Sequence, residues 1–76
     1  MNIKVLGTGC KKCKELEANT REAVKIAGVE AEIEKVEEIQ DIMSYGVMST
    51  PALVVDGVVK STGKLLKPEE IVKIIK

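Results

Sequence analysis

The spacing of apolar residues alternates along this chain between strand-like and helix-like periods, and the order of these segments limits the possible folds. Strands are expected at 3–6, 29–34, 52–55 and 58–60, and helices at 11–27, at 37–45 and from Pro68 onward. Strands joined through a helix pair in parallel by a right-handed crossover, whereas Asp56-Gly57 predicts a tight antiparallel hairpin. The sequence therefore predicts an α/β fold with a four-stranded mixed sheet and about three helices, in the order βαβαββα.

Two local patterns add detail to this prediction. In the segment 29–34, apolar residues alternate with glutamates, and a charged outer face is typical of a strand at the edge of a sheet. In the short helix at 37–45, Ile39, Ile42 and Met43 are spaced so that they should face inward.

The size and composition of the chain narrow the class of protein. Seventy-six residues allow one small core, so we expect a single domain over residues 1–76. Twelve basic residues balance twelve acidic ones, which argues against general nucleic-acid binding. The short apolar run near Met1 does not fit a secretion signal, and no run reaches membrane-spanning length. We expect a soluble, cytoplasmic monomer that binds neither nucleic acid nor membrane.

The only two cysteines, Cys10 and Cys13, lie between the first strand and the first helix. A disulfide across so short a loop would stabilise the fold by only about 2 kcal/mol, which makes a structural crosslink a weak explanation. The amino end of a helix stabilises a thiolate, and the intervening Lys11 and Lys12 add positive charge. In a reducing compartment, this arrangement favours catalytic, redox-sensing or metal-binding roles.

The positions of the two cysteines suggest different roles in thiol–disulfide exchange. Cys10, at the helix cap, should be the nucleophile that forms a mixed disulfide, and Cys13, one turn deeper, should be the resolving thiol. Metal carriage is the alternative, because two thiolates can hold Cu(I); a structural zinc site usually needs four ligands, and the chain has no histidine. A structural pair and a redox-regulated adaptor that binds partners without turnover also remain open.

Three motifs make the chain resemble the small thioredoxin/glutaredoxin-like redox proteins of archaea and bacteria over essentially its whole length. They are Cys10-Lys11-Lys12-Cys13 after the first strand, Ser49-Thr50-Pro51 before the third, and Asp56-Gly57 followed by Gly63. The resemblance implies a thioredoxin-like fold and protein-disulfide reductase activity, with no cofactor and no metal. It also implies two kinds of partner, namely disulfide-containing proteins and a thioredoxin-reductase-like electron donor.

The resemblance further implies a substrate groove. In that family the proline is cis and packs beside the cysteines, and the residue before it binds an extended substrate. Pro51 and Thr50 occupy these two positions. We expect them to shape the groove, with Gly9, Lys11 and Lys12 at its rim.

The chain departs from the family pattern in ways that bear on mechanism. Thioredoxins carry a buried acid on the strand before the cysteines, where this chain has Lys4, so water or an acid elsewhere in the fold must accept the proton of Cys13. The segment that helps glutaredoxins bind glutathione reads Thr62-Gly63-Lys64, which favours a protein partner. Small copper chaperones also place two cysteines after the first strand, but they end in a strand, whereas this chain should end in a helix.

Overall fold

The structure, a computed structural model, describes residues 1–9 and 11–75 and leaves Cys10 and Lys76 outside the described residues. The elements are β1 (Asn2–Leu6), α1 (Lys11–Ala27), β2 (Glu32–Val36), α2 (Ile39–Ser44), β3 (Ala52–Val55), β4 (Val58–Thr62) and α3 (Pro68–Ile75). The predicted order and the four-stranded mixed sheet are confirmed. No helix in the described part of the chain is long and apolar enough to cross a membrane.

The strands form one sheet in the order β2-β1-β3-β4, which confirms the edge position predicted for the glutamate-bearing strand. β1 pairs in parallel with β2 and antiparallel with β3. On one face of the sheet, Ile3 and Val5 of β1 pack with Leu16 of α1 and Ile71 of α3 in the larger core cluster. These contacts hold α1 against the sheet.

The other face of the sheet packs against α2. Because side chains alternate along a strand, Lys4 and Leu6 lie on this face, where Leu6 packs with Ile42 of α2 and Val54 of β3. The carboxyl end of β1 therefore lies between α1 on one face and α2 on the other. The loop 7–9, which leads to the cysteine motif, leaves the sheet at this point.

The β3–β4 hairpin turns at the predicted dipeptide. Asp56 and Gly57 have φ angles of 50° and 83°, and a type I′ turn requires positive φ at both central residues. The Asp56 side chain also accepts a hydrogen bond from the main-chain N–H of Asn2 at 2.8 Å, which joins the turn to β1.

β2 is displaced from the predicted strand. It covers Glu32–Val36 rather than 29–34, because it pairs with β1 as far as the partners Leu6 and Val36. The parallel pairing, rather than the alternation of glutamates, decides where this strand ends. Lys35 thereby becomes a strand residue, paired with Val5.

The helix α2 is shorter than predicted and buries only one of its three apolar residues. Ile42 is buried, but Ile39 and Met43 are 62% and 66% exposed, so their predicted inward positions are wrong. Val47, which follows the helix, is buried in the same small cluster, and Tyr45 packs against it. Because these two residues complete the cluster, α2 contributes a single side chain to the core.

Candidate active site

Cys13 is the described member of the cysteine pair. It lies in the first turn of α1, its side chain is 5% exposed, and it is disulfide-bonded. Lys11 and Lys12, in the same turn, are both exposed. The predicted nucleophile Cys10 lies outside the described residues. Cys13, which the sequence analysis predicted to be the resolving thiol, is thus buried.

Gly7, the residue after β1, allows Cys13 to approach the end of the sheet. A Cβ atom on Gly7 would overlap Cys13 Sγ and would lie 2.9 Å from Cys13 Cβ. The φ angle of Gly7 lies outside the left-handed region, so the requirement for glycine comes from this close approach rather than from the backbone. The main-chain N–H of Gly7 donates to the carbonyl oxygen of Val36 at 2.9 Å and fixes its position. Sequence analysis did not assign this role.

The Thr-Pro segment reaches the same end of the sheet. The Thr50–Pro51 peptide bond is cis, as the resemblance implied; Pro51 is buried and Thr50 is exposed. The antiparallel register pairs Leu6, the last residue of β1, with Ala52, the first residue of β3, so Gly7 and Pro51 follow and precede these strands at the same end of the sheet. The sheet therefore brings the Thr-Pro segment to the end of β1 from which the chain leads to the cysteine motif.

A cavity of about 80 Å³ lies beside Cys13. It is lined by Val5, Gly7, Gly9, Cys13, Lys14, Glu17, Lys35 and Glu37. This volume can hold at least one water molecule, because a single water needs only about 10–15 Å³ of such space. Two carboxylates and two ammonium groups thus share a small space with the buried cysteine.

The Glu17 carboxylate is held from two sides. Arg21, one helical turn further along α1, donates to Oε2 through Nη2 and Nε, at 2.9 and 3.2 Å. Lys35 Nζ, which comes from β2, lies 3.3 Å from Oε1. Burial is the largest single influence and raises the pKa of Glu17, but the hydrogen bonds and charges of Arg21 and Lys35 together outweigh it and hold the pKa below its ordinary value. Glu17 is therefore ionised at neutral pH.

Lys4, at the position of the family's buried acid, lies on the opposite face of the sheet. Its Nζ donates to Tyr45 Oη at 2.9 Å and lies 5.6 Å from the centre of the tyrosine ring. The hydrogen bond to Tyr45 is the main cause of a raised pKa of Lys4. Lys4 therefore packs against the chain's one aromatic residue and does not line the cavity beside Cys13.

An apolar groove of about 360 Å³ lies on the other side of the loop 7–9. It is lined by Thr8, Ile39, Ile42, Met43, Val47, Met48 and Thr50. Met48 is 99% exposed, and Thr50 opens onto the same apolar surface. Because Thr8 lines the groove while its neighbours Gly7 and Gly9 line the cavity, the loop separates the two spaces.

The predicted site residues that the structure describes fall into separate positions. Gly9 and Cys13 line the cavity, Thr50 lines the groove, and Pro51 is buried just before β3. Across residues 1–9 and 11–75, no group of three or more histidine, cysteine, aspartate or glutamate side chains is placed to hold a metal ion.

Sequence reasoning assigned none of the four charged residues that line the cavity beside Cys13, and two of them differ in how they could have been found. Glu17 follows Cys13 by four positions, so helical spacing could have placed them on one face. Lys35 could not have been found in this way, because its place opposite Glu17 depends on the register of β2 against β1.

Comparisons with known proteins point to one family. A family model described as a thioredoxin domain matches residues 1–76. The chain is 47% identical to a thioredoxin of Methanothermobacter thermautotrophicus over 75 residues, which cover 99% of this chain and 97% of the relative. It is 39% identical to a thioredoxin of Methanocaldococcus jannaschii over 69 residues, which cover 91% of this chain and 79% of the relative.

Proposed function

Because this chain belongs to the thioredoxin family, whose members are thiol–disulfide oxidoreductases, we propose that it reduces protein disulfides with Cys10 as nucleophile and Cys13 as resolving thiol. The observation that carries the assignment is the burial of Cys13 in the first turn of α1, against Gly7. A buried thiol is shielded from a large partner, so the first attack on a protein disulfide falls to the other cysteine.

The exchange proceeds in two steps. The Cys10 thiolate attacks one sulfur of the substrate disulfide, which forms a mixed disulfide and releases one substrate thiolate. The sulfur of Cys13 then attacks Cys10, which forms the bond between the two cysteines and releases the second substrate thiolate. The substrate gains two electrons, the protein is left oxidised, and a reductase must return the electrons before the next turnover.

The apolar groove supports the binding of a polypeptide rather than a small thiol. Thr50 is exposed and precedes the paired part of β3, so that an extended chain could lie along it. Ile39 and Met43 offer apolar surface next to it, and flexible methionine side chains adapt to varied partners. We place Gly9, Lys11 and Lys12 at the rim of this binding site, with Pro51 as its buried support.

Reduction of insulin by dithiothreitol tests the proposed activity. The reduced protein should accelerate the precipitation of insulin chains by more than about tenfold over dithiothreitol alone, a loss of about 1.4 kcal/mol or more from the barrier. Cys10→Ser is the matched control and should show no acceleration.

A parallel titration with Cu(I) against a competing chelator tests the alternative of metal carriage. Tight Cu(I) binding together with no acceleration would reverse the assignment in favour of a metal carrier. A stable disulfide without turnover and without copper binding would indicate a redox-regulated adaptor.

The groove makes a separate prediction about substrate size. The double variant Ile39→Ser, Met43→Ser should raise KM for insulin by about tenfold, because two apolar contacts of roughly 0.7 kcal/mol each are lost. Its rate with a small aromatic disulfide should change by less than about twofold, since such a disulfide does not fill the groove. Ile26→Ser, an equally exposed isoleucine near the far end of α1, is the control. An equal effect on both substrates would contradict a polypeptide site here.

A further inference from the structure

The second step of the proposed exchange needs an acceptor for the proton of Cys13. A thiol is a poor nucleophile until its proton leaves, and an ordinary cysteine is only a few per cent thiolate at pH 7. We propose that Glu17 accepts this proton, through a water in the cavity that it shares with Cys13. The inference rests on the proposed function, because it assigns the proton of that reaction.

The position of Glu17 on the helix supports this role. Cys13 and Glu17 are four residues apart on α1, so their side chains lie on neighbouring turns of one helix face. Both line the 80 Å³ cavity, and the Glu17 side chain is only 15% exposed. A water in this space could bridge the thiol and the carboxylate.

The cation contacts keep Glu17 ready to accept a proton. Arg21 and Lys35 each bind one oxygen of the carboxylate and hold the Glu17 side chain in one position. The carboxylate is therefore already oriented before the proton is transferred. The same contacts lower the pKa of Glu17, so the carboxylate stays ionised throughout the neutral range. A carboxylate with a lowered pKa is a weak base. It can still accept the proton, because the Cys13 sulfur forms its new bond to Cys10 as the proton leaves.

The other charged groups at the cavity come from two elements and one loop. Lys14 lies on α1, Lys35 on β2, and Glu37 between β2 and α2. The two lysines favour a developing thiolate and the two carboxylates disfavour it. Among these groups, the two carboxylates are the candidate acceptors, because an ammonium group has donors and no acceptor. Glu17 is the better placed, because it lies on the helix of Cys13 and is fixed by two ion pairs, whereas Glu37 is exposed.

The step balances as follows. The Cys13 sulfur attacks Cys10 of the mixed disulfide while its proton passes through water to the Glu17 carboxylate. The bond between Cys10 and the substrate sulfur breaks, and the substrate leaves as a thiolate with the electron pair. Glu17 then returns the proton to the departing thiolate or to solvent, which restores the carboxylate.

Rapid chemical quench over pH 5 to 9 tests the inference. Reduced protein is mixed with a peptide disulfide and quenched in acid, and mass spectrometry follows the mixed disulfide and the oxidised protein. In the wild type, resolution should be nearly independent of pH between about pH 5 and 8, because Glu17 is ionised there. In Glu17→Gln, resolution should fall about tenfold per pH unit below the thiol pKa and be more than about tenfold slower at pH 6, since only preformed thiolate attacks.

Matched variants separate proton transfer from structure. Glu15→Gln, at an exposed glutamate on the same helix, should retain the pH-independent range. Glu17→Asp should also retain the pH-independent range, at a lower rate. This variant replaces Glu17→Gln in the test if the latter does not fold.

The outcomes distinguish this inference from the proposed function. A Glu17→Gln profile parallel to the wild type at every pH would overturn the inference, and so would loss of the pH-independent range in Glu15→Gln. If the wild type forms no mixed disulfide and no oxidised product, it is the proposed function that fails.

Discussion

A Cys13→Ser variant is expected to accumulate a covalent complex with a disulfide substrate, whereas Cys10→Ser is expected to form none. With Cys10 as nucleophile, the first step remains possible after loss of Cys13, but the mixed disulfide has no internal thiol to resolve it. Turnover should fall by more than about a hundredfold in either variant, because each removes a sulfur that forms a bond in the reaction. Insulin is a suitable substrate, with the complex detected on a non-reducing gel.

Two controls make this trapping experiment decisive. The complex should disappear on treatment with dithiothreitol, which identifies its link as a disulfide. The Cys10→Ser, Cys13→Ser double variant should form no complex, which excludes non-covalent association. Equal trapping by the two single variants would contradict the assigned roles, because it would mean that either cysteine can attack first.

The order of elements could be predicted because local signals mark most of the boundaries. The first helix has the predicted bounds 11–27, since apolar residues recur at helical spacing from Cys13 to Ala27 and Gly28 follows. The hairpin formed at Asp56-Gly57 because both residues tolerate positive φ. In both places the sequence within a few residues is sufficient to decide the structure.

The short helix shows where local reasoning fails. Ile39, Ile42 and Met43 have the spacing of a buried helical face, yet only Ile42 is buried. Which face of a six-residue helix meets the sheet is decided by its neighbours, here Tyr45 and Val47, and these contacts are tertiary. The same exposure creates the apolar groove, so the error in the predicted core coincides with a candidate binding surface.

In the candidate site, too, some contacts follow from the local sequence and others depend on the tertiary structure. The Glu17–Arg21 ion pair follows from spacing on one helix, and it was predictable. The contact with Lys35 depends on a strand register that no local pattern specifies. The roles of Thr50 and Pro51 and the single domain over residues 1–76 stay predictions, as do the roles of Cys10 and Cys13, which the trapping experiment tests.

Gly7→Ala is expected to destabilise the reduced protein by about 1–3 kcal/mol, the usual cost of forcing an extra group into a packed site. The added Cβ would overlap Cys13 Sγ and lie 2.9 Å from Cys13 Cβ, so either the first turn of α1 or the end of β1 must move. Displacement of the resolving thiol should also slow disulfide reduction by more than about tenfold, since small misplacements of reacting atoms are costly. Urea unfolding and insulin reduction measure the two effects.

A double-mutant cycle with Cys13→Ala separates steric conflict from other effects of the substitution. Removal of Sγ eliminates the worst overlap, so Gly7→Ala should cost at least about 1 kcal/mol less in the Cys13→Ala protein than in the wild type. The backbone of Gly7 does not require a left-handed conformation, so the cost that remains should come from the 2.9 Å approach to the Cβ atom of residue 13, which alanine keeps. If Gly7→Ala lowers the free energy of unfolding equally in both proteins, Gly7 is required for some reason other than its close approach to the Cys13 side chain. A reduced cost would establish that this glycine allows the helix to hold its cysteine against the sheet.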